Sequence, residues 1–434
     1  MYSRNEIQNG LSKLMKNSRV VPNSELHTFQ VDGCVPNAVV MPVSENELSD
    51  ILAEAYRKVW AVVPWGSGSS MKLGNLSPQV DLVVGTTGIE NPIDYSPSDL
   101  TVTVGAGTKF SELQSKLAKG GHWLPIDPPL GSVRTLGGIL ATNLVGPLSF
   151  GYGTVRDYLL GLRVAESDGT VTKSGGRVVK NVTGFDLTKL HIGALGTLGV
   201  ILEANLKVIP LPKCDKTLSV NFDGWEAGIE AFALQSLSTY SGQAAELIIA
   251  PDGGTKGYIR FLGSDSSVEV RVDHAFKLLT PLANNSPNIV AEEQAANIWY
   301  EIENFGWSNY SENGDDVIMK FGCSPSNIDL VIKGIFDYCI ENRHSVEMIV
   351  GPARGVIKCK LIGVASVLAE AVTKFRKITS EFGGYAVVEL APTNSKKNID
   401  VWGDPGIGLP LMRRLKEKLD PNGILNVGRY VEGL

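Results

Sequence analysis

Short apolar runs and amphipathic stretches alternate along the first half of the chain. Residues 39–42 and 61–64 read as short buried strands. Between them, 44–58 reads as a helix, with Leu48, Ile51, Leu52 and Ala55 on one apolar face. Ser44 stands at its N-cap, and Glu47 three residues on completes a capping box. The three elements make a βαβ unit. Strict alternation at 100–104 predicts a strand, and 109–119 a helix with Phe110, Leu113 and Leu117 on one side. Runs at 158–165 and 170–173 flank Ser167-Asp168-Gly169, a hairpin turn signal. A further strand is expected at 199–208, after which Ile209-Pro210-Leu211-Pro212 breaks the pattern and marks a domain boundary.

Beyond that boundary the pattern repeats. Residues 218–222 (strand), 224–239 (helix), 244–250 and 257–262 (strands) and 268–279 (helix) form a βαββα unit. Residues 317–322, 327–342, 345–350, 356–362 and 366–382 form a second one, with 385–390 as an added strand. Two such units in tandem predict an antiparallel sheet with helices on one face. The segment 281–315 between them carries Trp299, Phe305, Trp307 and Tyr310, and the last stretch, 411–434, holds a helix stopped by Asp420-Pro421-Asn422-Gly423.

With 434 residues the chain is long enough for two domains. A net charge of −6 gives no electrostatic case for nucleic acid. The first 21 residues hold no apolar signal-peptide core, and no run of 18 apolar residues predicts a membrane span. The cysteines at 34, 214, 323, 339 and 359 are scattered, which excludes clustered iron–sulfur or zinc-ribbon spacing. They read as buried reduced thiols, and a cytoplasmic protein is expected.

The chemistry lies in glycine-dense loops. The first is Pro64-Trp65-Gly66-Ser67-Gly68-Ser69-Ser70. The second runs from Thr135-Leu136-Gly137-Gly138 through Ala141-Thr142-Asn143 to Gly153-Thr154-Val155-Arg156-Asp157. The third is Gly193-Ala194-Leu195-Gly196-Thr197-Leu198-Gly199-Val200-Ile201. Glycines between strands let backbone N–H groups approach an extended anion, and three such loops suit a dinucleotide. Met71 and Phe110 stand where a GxGxxG fingerprint needs glycine, and no loop continues as GK[ST]. A nicotinamide Rossmann fingerprint and a P-loop are therefore absent.

In order and content these segments resemble the FAD-binding oxidases related to vanillyl-alcohol oxidase and p-cresol methylhydroxylase. The 64–69 loop is similar to that family's PxGGGT pyrophosphate loop, and 136–157 to its longer flavin loop. Lys180-Asn181-Val182-Thr183-Gly184-Phe185-Asp186-Leu187 resembles K(D/N)xTGYDL, 196–201 resembles GTLGIIT, and 420–429 resembles the closing DPxGILNPGK. The resemblance implies an α+β fold: a two-lobed p-cresol methylhydroxylase-type FAD-binding domain, then a ferredoxin-like antiparallel-sheet C-terminal domain. The expected parts are an N-terminal extension (1–30), the FAD-binding domain (31–212), a substrate or cap domain (213–410) and a tail returning to the flavin domain (411–434). Within the family the chain is most similar to glycolate oxidase E-type subunits, with Trp299 to Phe305 and the lack of iron–sulfur cysteines in keeping. That implies a second flavoprotein subunit and an iron–sulfur subunit as partners, a small 2-hydroxy acid as substrate, and any membrane association only through partners.

The implied FAD contacts are Pro64, Trp65, Gly66, Ser67, Gly68, Ser69, Ser70, Thr135, Gly137, Gly138, Thr142, Asn143, Gly153, Thr154, Gly196, Gly199, Ile201 and Asn426. Each also fits an ordinary turn or core position. Ser67 and Val427 replace a family glycine and proline. No histidine lies in the first loop, so the FAD is expected to be non-covalent. Among the five histidines, only His191 stands near a flavin motif, and no histidine pair has metal-ligand spacing. Relatives that oxidise 2-hydroxy acids carry histidine motifs where this chain reads Gly351-Pro352-Ala353-Arg354-Gly355-Val356-Ile357-Lys358. Catalytic residues are left open, with Arg354 and Arg156 as candidates for a carboxylate or reduced flavin. A solvated loop charge and an intradomain ion pair are the competing readings. Lacking a base in 351–358 and a cluster for electron exit, the lone chain is expected to oxidise glycolate or lactate little. A non-catalytic FAD-binding subunit and a stand-alone 2-hydroxy-acid dehydrogenase are the alternatives.

Overall fold

The computed structural model describes residues 3–12, 14, 19–90, 92–177 and 186–434. The Lys180 to Phe185 part of the sequence motif lies outside the described residues.

Three sheets organise the molecule. The first orders its strands Arg19–Val20, Ala38–Met41, Leu82–Gly85, Val62–Trp65, and the last three run parallel. The helix Glu45–Lys58 is the crossover, and Ser44 caps it by accepting the Glu47 amide at 3.3 Å. Sequence reading passed over the central strand, Leu82–Gly85, whose Leu82, Val83 and Val84 are fully buried. An apolar run without alternation is what a strand covered on both faces looks like. The free edge of Val62–Trp65 is covered by the C-terminal tail: Val62 N–H donates to Ile424 O at 2.7 Å, and Asn426 N–H to Val62 O at 2.8 Å.

The second sheet is antiparallel, in the order Asp94–Ser96, Thr101–Gly105, Val200–Lys207, Leu159–Ala165, Val171–Gly175. One expectation is corrected here. Residues 136–142 are not a loop but a short helix, Leu136–Thr142, despite two glycines. Leu136, Ile139 and Leu140 recur at helical spacing and are buried, and Thr135 caps the start by accepting the Gly138 amide.

The third sheet has eight antiparallel strands. Their order is Asn288–Val290, Cys214–Phe222, Thr255–Gly263, Ala244–Ile249, Ser345–Gly351, Val356–Ile362, Val317–Gly322, Tyr385–Leu390. The two βαββα units join edge to edge where Ala244–Ile249 pairs with Ser345–Gly351. Helices Trp225–Leu237, Asp265–Leu279, Ile328–Glu341 and Leu368–Glu381 bury the largest hydrophobic cluster against one face. The other face meets the first two sheets through Leu148, Tyr258, Ile349, Trp299 and Ile302, and through Leu73, Trp307, Ile318 and Leu390. Trp299 sits on the helix Glu292–Glu303, which occupies part of the 281–315 segment.

Candidate functional site

A cleft opens between the two N-terminal sheets. Its floor begins at Val62–Trp65, where the chain leaves the sheet and turns through 66–70. The backbone N–H groups of Ser67, Gly68, Ser69 and Ser70 have no protein acceptor among the described residues. Consecutive unpaired amides form a concave donor surface suited to an anion. The turn is compact: a Cβ on Gly66 would lie 2.1 Å from Thr135 Oγ1, and one on Gly68 2.3 Å from the Trp65 ring. Gly68 also has φ +77°, in the left-handed region.

Of the sequence-derived contacts, Pro64 through Ser70, Thr135, Gly137, Gly138, Thr142, Gly196, Gly199, Ile201 and Asn426 all line this cleft. Three do not. Asn143 ends the Leu136–Thr142 helix at φ +49° and packs beside Gly193. Gly153 and Thr154 border a separate small cavity with Ile126, Asp127, Leu144, Val145, Ser149 and Val155. Gly153 turns the chain at φ +81°, and Thr154 forms a capping box with Asp157.

Sequence reading missed Met71, Leu73, Thr86, Ala106, Ala141, Leu195, Val200 and Arg429 on the cleft wall. Arg429 is the informative one. It is buried, its Nη2 donates to Met71 O at 2.7 Å and Leu73 O at 2.6 Å, and its Nε has no partner among the described residues. Asn426 Oδ1 is a second buried atom without a partner there. The cleft thus offers unmatched donors and an unmatched acceptor, as a bound nucleotide with phosphates, ribose and ring edges needs. Lys416 holds the segment carrying both residues, donating to Thr197 O (2.9 Å), Asp420 (2.6 Å) and Leu425 O (3.0 Å).

Arg134, also missed, is fully buried beneath the 66–70 turn. Its guanidinium donates to Ser70 Oγ and Pro129 O and lies 4.9 Å over the Trp307 ring. Trp307 Nε1 donates to Glu389 at 3.3 Å, which links the turn to the large sheet. Burial lowers the Arg134 pKa to about 10, so it stays cationic at neutral pH. His191 lies behind Gly199, and burial lowers it to about 4, so it is neutral.

Residues 36–175 match the model of an FAD binding domain. The chain carries an FAD binding domain. The match takes in the 66–70 turn and the Leu136–Thr142 helix that face each other across the cleft. The whole chain has the fold of p-cresol methylhydroxylase, with a TM-score of 0.73 over 98% of this chain and 96% of that one, at 15% identity. It is 32% identical to glycolate oxidase subunit GlcD of Bacillus subtilis over 45% of its length and 42% of that protein. It is 39% identical to glycolate oxidase subunit GlcE of Escherichia coli over 29% of this chain and 36% of that one. The alignments thus span less than half of either subunit. A longer alignment, 24% identical over 92% of this chain and 89% of the relative, is with D-2-hydroxyglutarate dehydrogenase of Xanthomonas citri. The chain groups with FAD-dependent oxidoreductases.

The two arginines singled out in the sequence lie apart from the FAD cleft. Arg156 is exposed on the short helix Val155–Tyr158. Arg354 is neither a solvated charge nor on the cleft wall. Its guanidinium donates to the buried Glu246, to Ser149 Oγ at 3.2 Å and to Gly146 O at 3.4 Å. Among the described residues, no helix is long and apolar enough to cross a membrane, and no cluster of His, Cys, Asp or Glu is placed to hold a metal ion.

Proposed function

We propose that this chain is a flavoprotein subunit that holds FAD non-covalently, oxidises a small 2-hydroxy acid and passes the electrons to a partner protein. The flavin supplies the two-electron acceptor. The observation that carries the reading is the cleft, where unpaired amides at 67–70 meet the unmatched polar atoms of Asn426 and Arg429. Among the described residues, its walls hold no histidine, cysteine or tyrosine, side chains able to form a covalent flavin link. The substrate class rests on relatives named as glycolate oxidase subunits and a 2-hydroxyglutarate dehydrogenase. An iron–sulfur subunit and a second flavoprotein subunit are proposed as partners, because the five cysteines are dispersed and free. Gly153, Thr154 and Asn143 remain proposed contacts for parts of the cofactor reaching beyond the cleft.

The test is steady-state oxidation of glycolate and D-lactate by the FAD-loaded chain, alone and with co-purified partners. Turnover that needs the partners supports the reading. Full turnover by the lone chain with oxygen supports the stand-alone dehydrogenase. No turnover and no flavin reduction in either form leaves an FAD-binding structural subunit.

A further inference from the structure

A narrow pocket lies between the inner face of the large sheet and the loop 145–147. Its walls include Glu246, Arg354 and Lys358. It is continuous along the chain with the FAD cleft. Ala141 and Thr142 line the cleft, Leu144 and Val145 the cavity beside Asp127, and Val145 to Pro147 this one.

Three charged side chains here are unequally matched. Glu246 is fully buried on the strand Ala244–Ile249. One carboxylate oxygen accepts from Arg354, while the other, Oε2, is buried with no hydrogen-bond partner among the described residues. Lys358, on Val356–Ile362, is 8% exposed and forms no ion pair or hydrogen bond among the described residues. Arg354 spends its Nη1 and Nη2 donors on Glu246, Ser149 and Gly146, while its Nε is buried without a partner among the described residues. A buried cation and a buried carboxylate oxygen, both unmatched on one cavity wall, call for a ligand that carries an anion and a donor.

Resting on the function proposed above, we propose that Lys358 anchors the substrate carboxylate in this cavity and that Glu246 Oε2 accepts the proton of the substrate hydroxyl. A flavin bound in the cleft would supply the acceptor for hydride from C2, while Glu246 takes the hydroxyl proton and C2–O becomes a carbonyl. The substrate loses two electrons and two protons. Bound flavin would take up the electron pair with one proton as hydride, and Glu246 holds the other proton until solvent takes it. Asp127 lines the neighbouring cavity and not the wall shared by Glu246 and Lys358. Burial raises the Glu246 carboxyl pKa despite Arg354 and Lys358, the direction that strengthens it as a base. The base absent from 351–358 is thus supplied from a strand about a hundred residues upstream.

The experiment uses FAD-loaded protein and two near-isosteric variants, Lys358→Met and Glu246→Gln, checked for unchanged melting and flavin content. Oxalate is titrated by calorimetry, and flavin bleaching is followed after rapid mixing with glycolate and D-lactate. Lys358→Met should weaken oxalate binding at least tenfold, with Lys358→Arg restoring most of it. Glu246→Gln should bind oxalate within about threefold of the parent but slow bleaching roughly 10²–10⁴-fold, the usual contribution of a positioned base. Oxalate affinity unchanged in Lys358→Met, or bleaching unchanged in Glu246→Gln, overturns the assignment. Parent protein that holds FAD but binds no oxalate also overturns it, and leaves the FAD reading standing. Protein without FAD sinks that reading instead, and oxalate titration of the apo-chain and Lys358→Met then decides the anion site separately.

Discussion

The FAD cleft and the inner face of the large sheet are both enclosed, yet they are made of opposite materials. The cleft is built from backbone: glycines, small hydroxyl residues and unpaired amides, with Arg429 the only charged wall residue among the described residues. The sheet face is built from side-chain charge. Arg260 binds Asp215 at 2.7 Å and sits 3.8 Å from Glu303, Arg354 binds Glu246, and Lys358 and Lys320 stand opposite each other on paired strands. Backbone donors cannot change protonation state and tolerate little substitution, which suits a permanently held cofactor. Buried ionisable groups are costly unless matched, but they can exchange protons. The division of labour between holding and reacting follows from that chemistry.

The largest effect is expected at the turn. Gly68→Val places a β-branched side chain against the Trp65 ring at a left-handed φ, so flavin affinity should fall more than a hundredfold while the large sheet stays folded. Flavin fluorescence titration with circular dichroism checks this. Wild-type affinity in the variant would mean the turn is not the cradle.

Next comes the clamp on the closing tail. Lys416→Met leaves Asp420 buried without its cation and frees two carbonyls, a loss of about 3–5 kcal/mol for a broken buried pair. Asn426 and Arg429 should then hold FAD less tightly. Denaturant unfolding and flavin retention should fall together, and a loss of stability with flavin affinity intact would uncouple the tail from the cleft.

The two regions should also answer pH with opposite sign. His191, behind the cleft, has a folded pKa near 4, below its ordinary 6.5. The unfolded chain therefore binds a proton that the folded one refuses, and stability is lost as pH falls through that window. The loss reaches at most about 3 kcal/mol, and His191→Leu should remove it. At the sheet face, burial raises Glu303 and Asp127, Glu303 further through the charge of Asp127 and Asp127 further through that of Glu246. There the folded state keeps protons that the unfolded chain has released, so stability is lost as pH rises above the ordinary carboxylate range. Glu303→Gln should flatten that decline. Melting curves from pH 4.5 to 8.5 in which both variants shift in the same direction would contradict the contrast.

The smallest effect is expected at Arg156. It is exposed and away from both regions, so Arg156→Ala should change stability by no more than about 0.5 kcal/mol and leave flavin affinity unchanged. A tenfold loss of flavin would place it in the site after all.

The same contrast explains what could be read from the sequence. Glycine turns are local, and their motifs stand in order, so most of the cleft wall was visible as contiguous strings from Pro64 to Ser70 and from Gly196 to Ile201. The two βαββα units were equally legible from period and turn chemistry. The sheet face was not. Glu246, Arg354 and Lys358 come from separate strands and a turn, and each alone looks like any charge in an alternating run. Only the pairing of Ala244–Ile249 with Ser345–Gly351 brings them together. Arg134 and Arg429 were hidden for a related reason, since nothing local distinguishes a buried arginine from a solvated one. The Leu136–Thr142 helix was concealed by its glycines, whose low helix propensity was outweighed by the Thr135 cap and three buried apolar side chains.

The central claim is that backbone and tail close around an FAD held without a covalent bond. Acid precipitation of the purified chain tests it most directly. The account predicts a yellow protein that releases one equivalent of FAD to the supernatant and leaves a colourless pellet. Flavin retained in the pellet, or a colourless chain that added FAD cannot reconstitute, would contradict it.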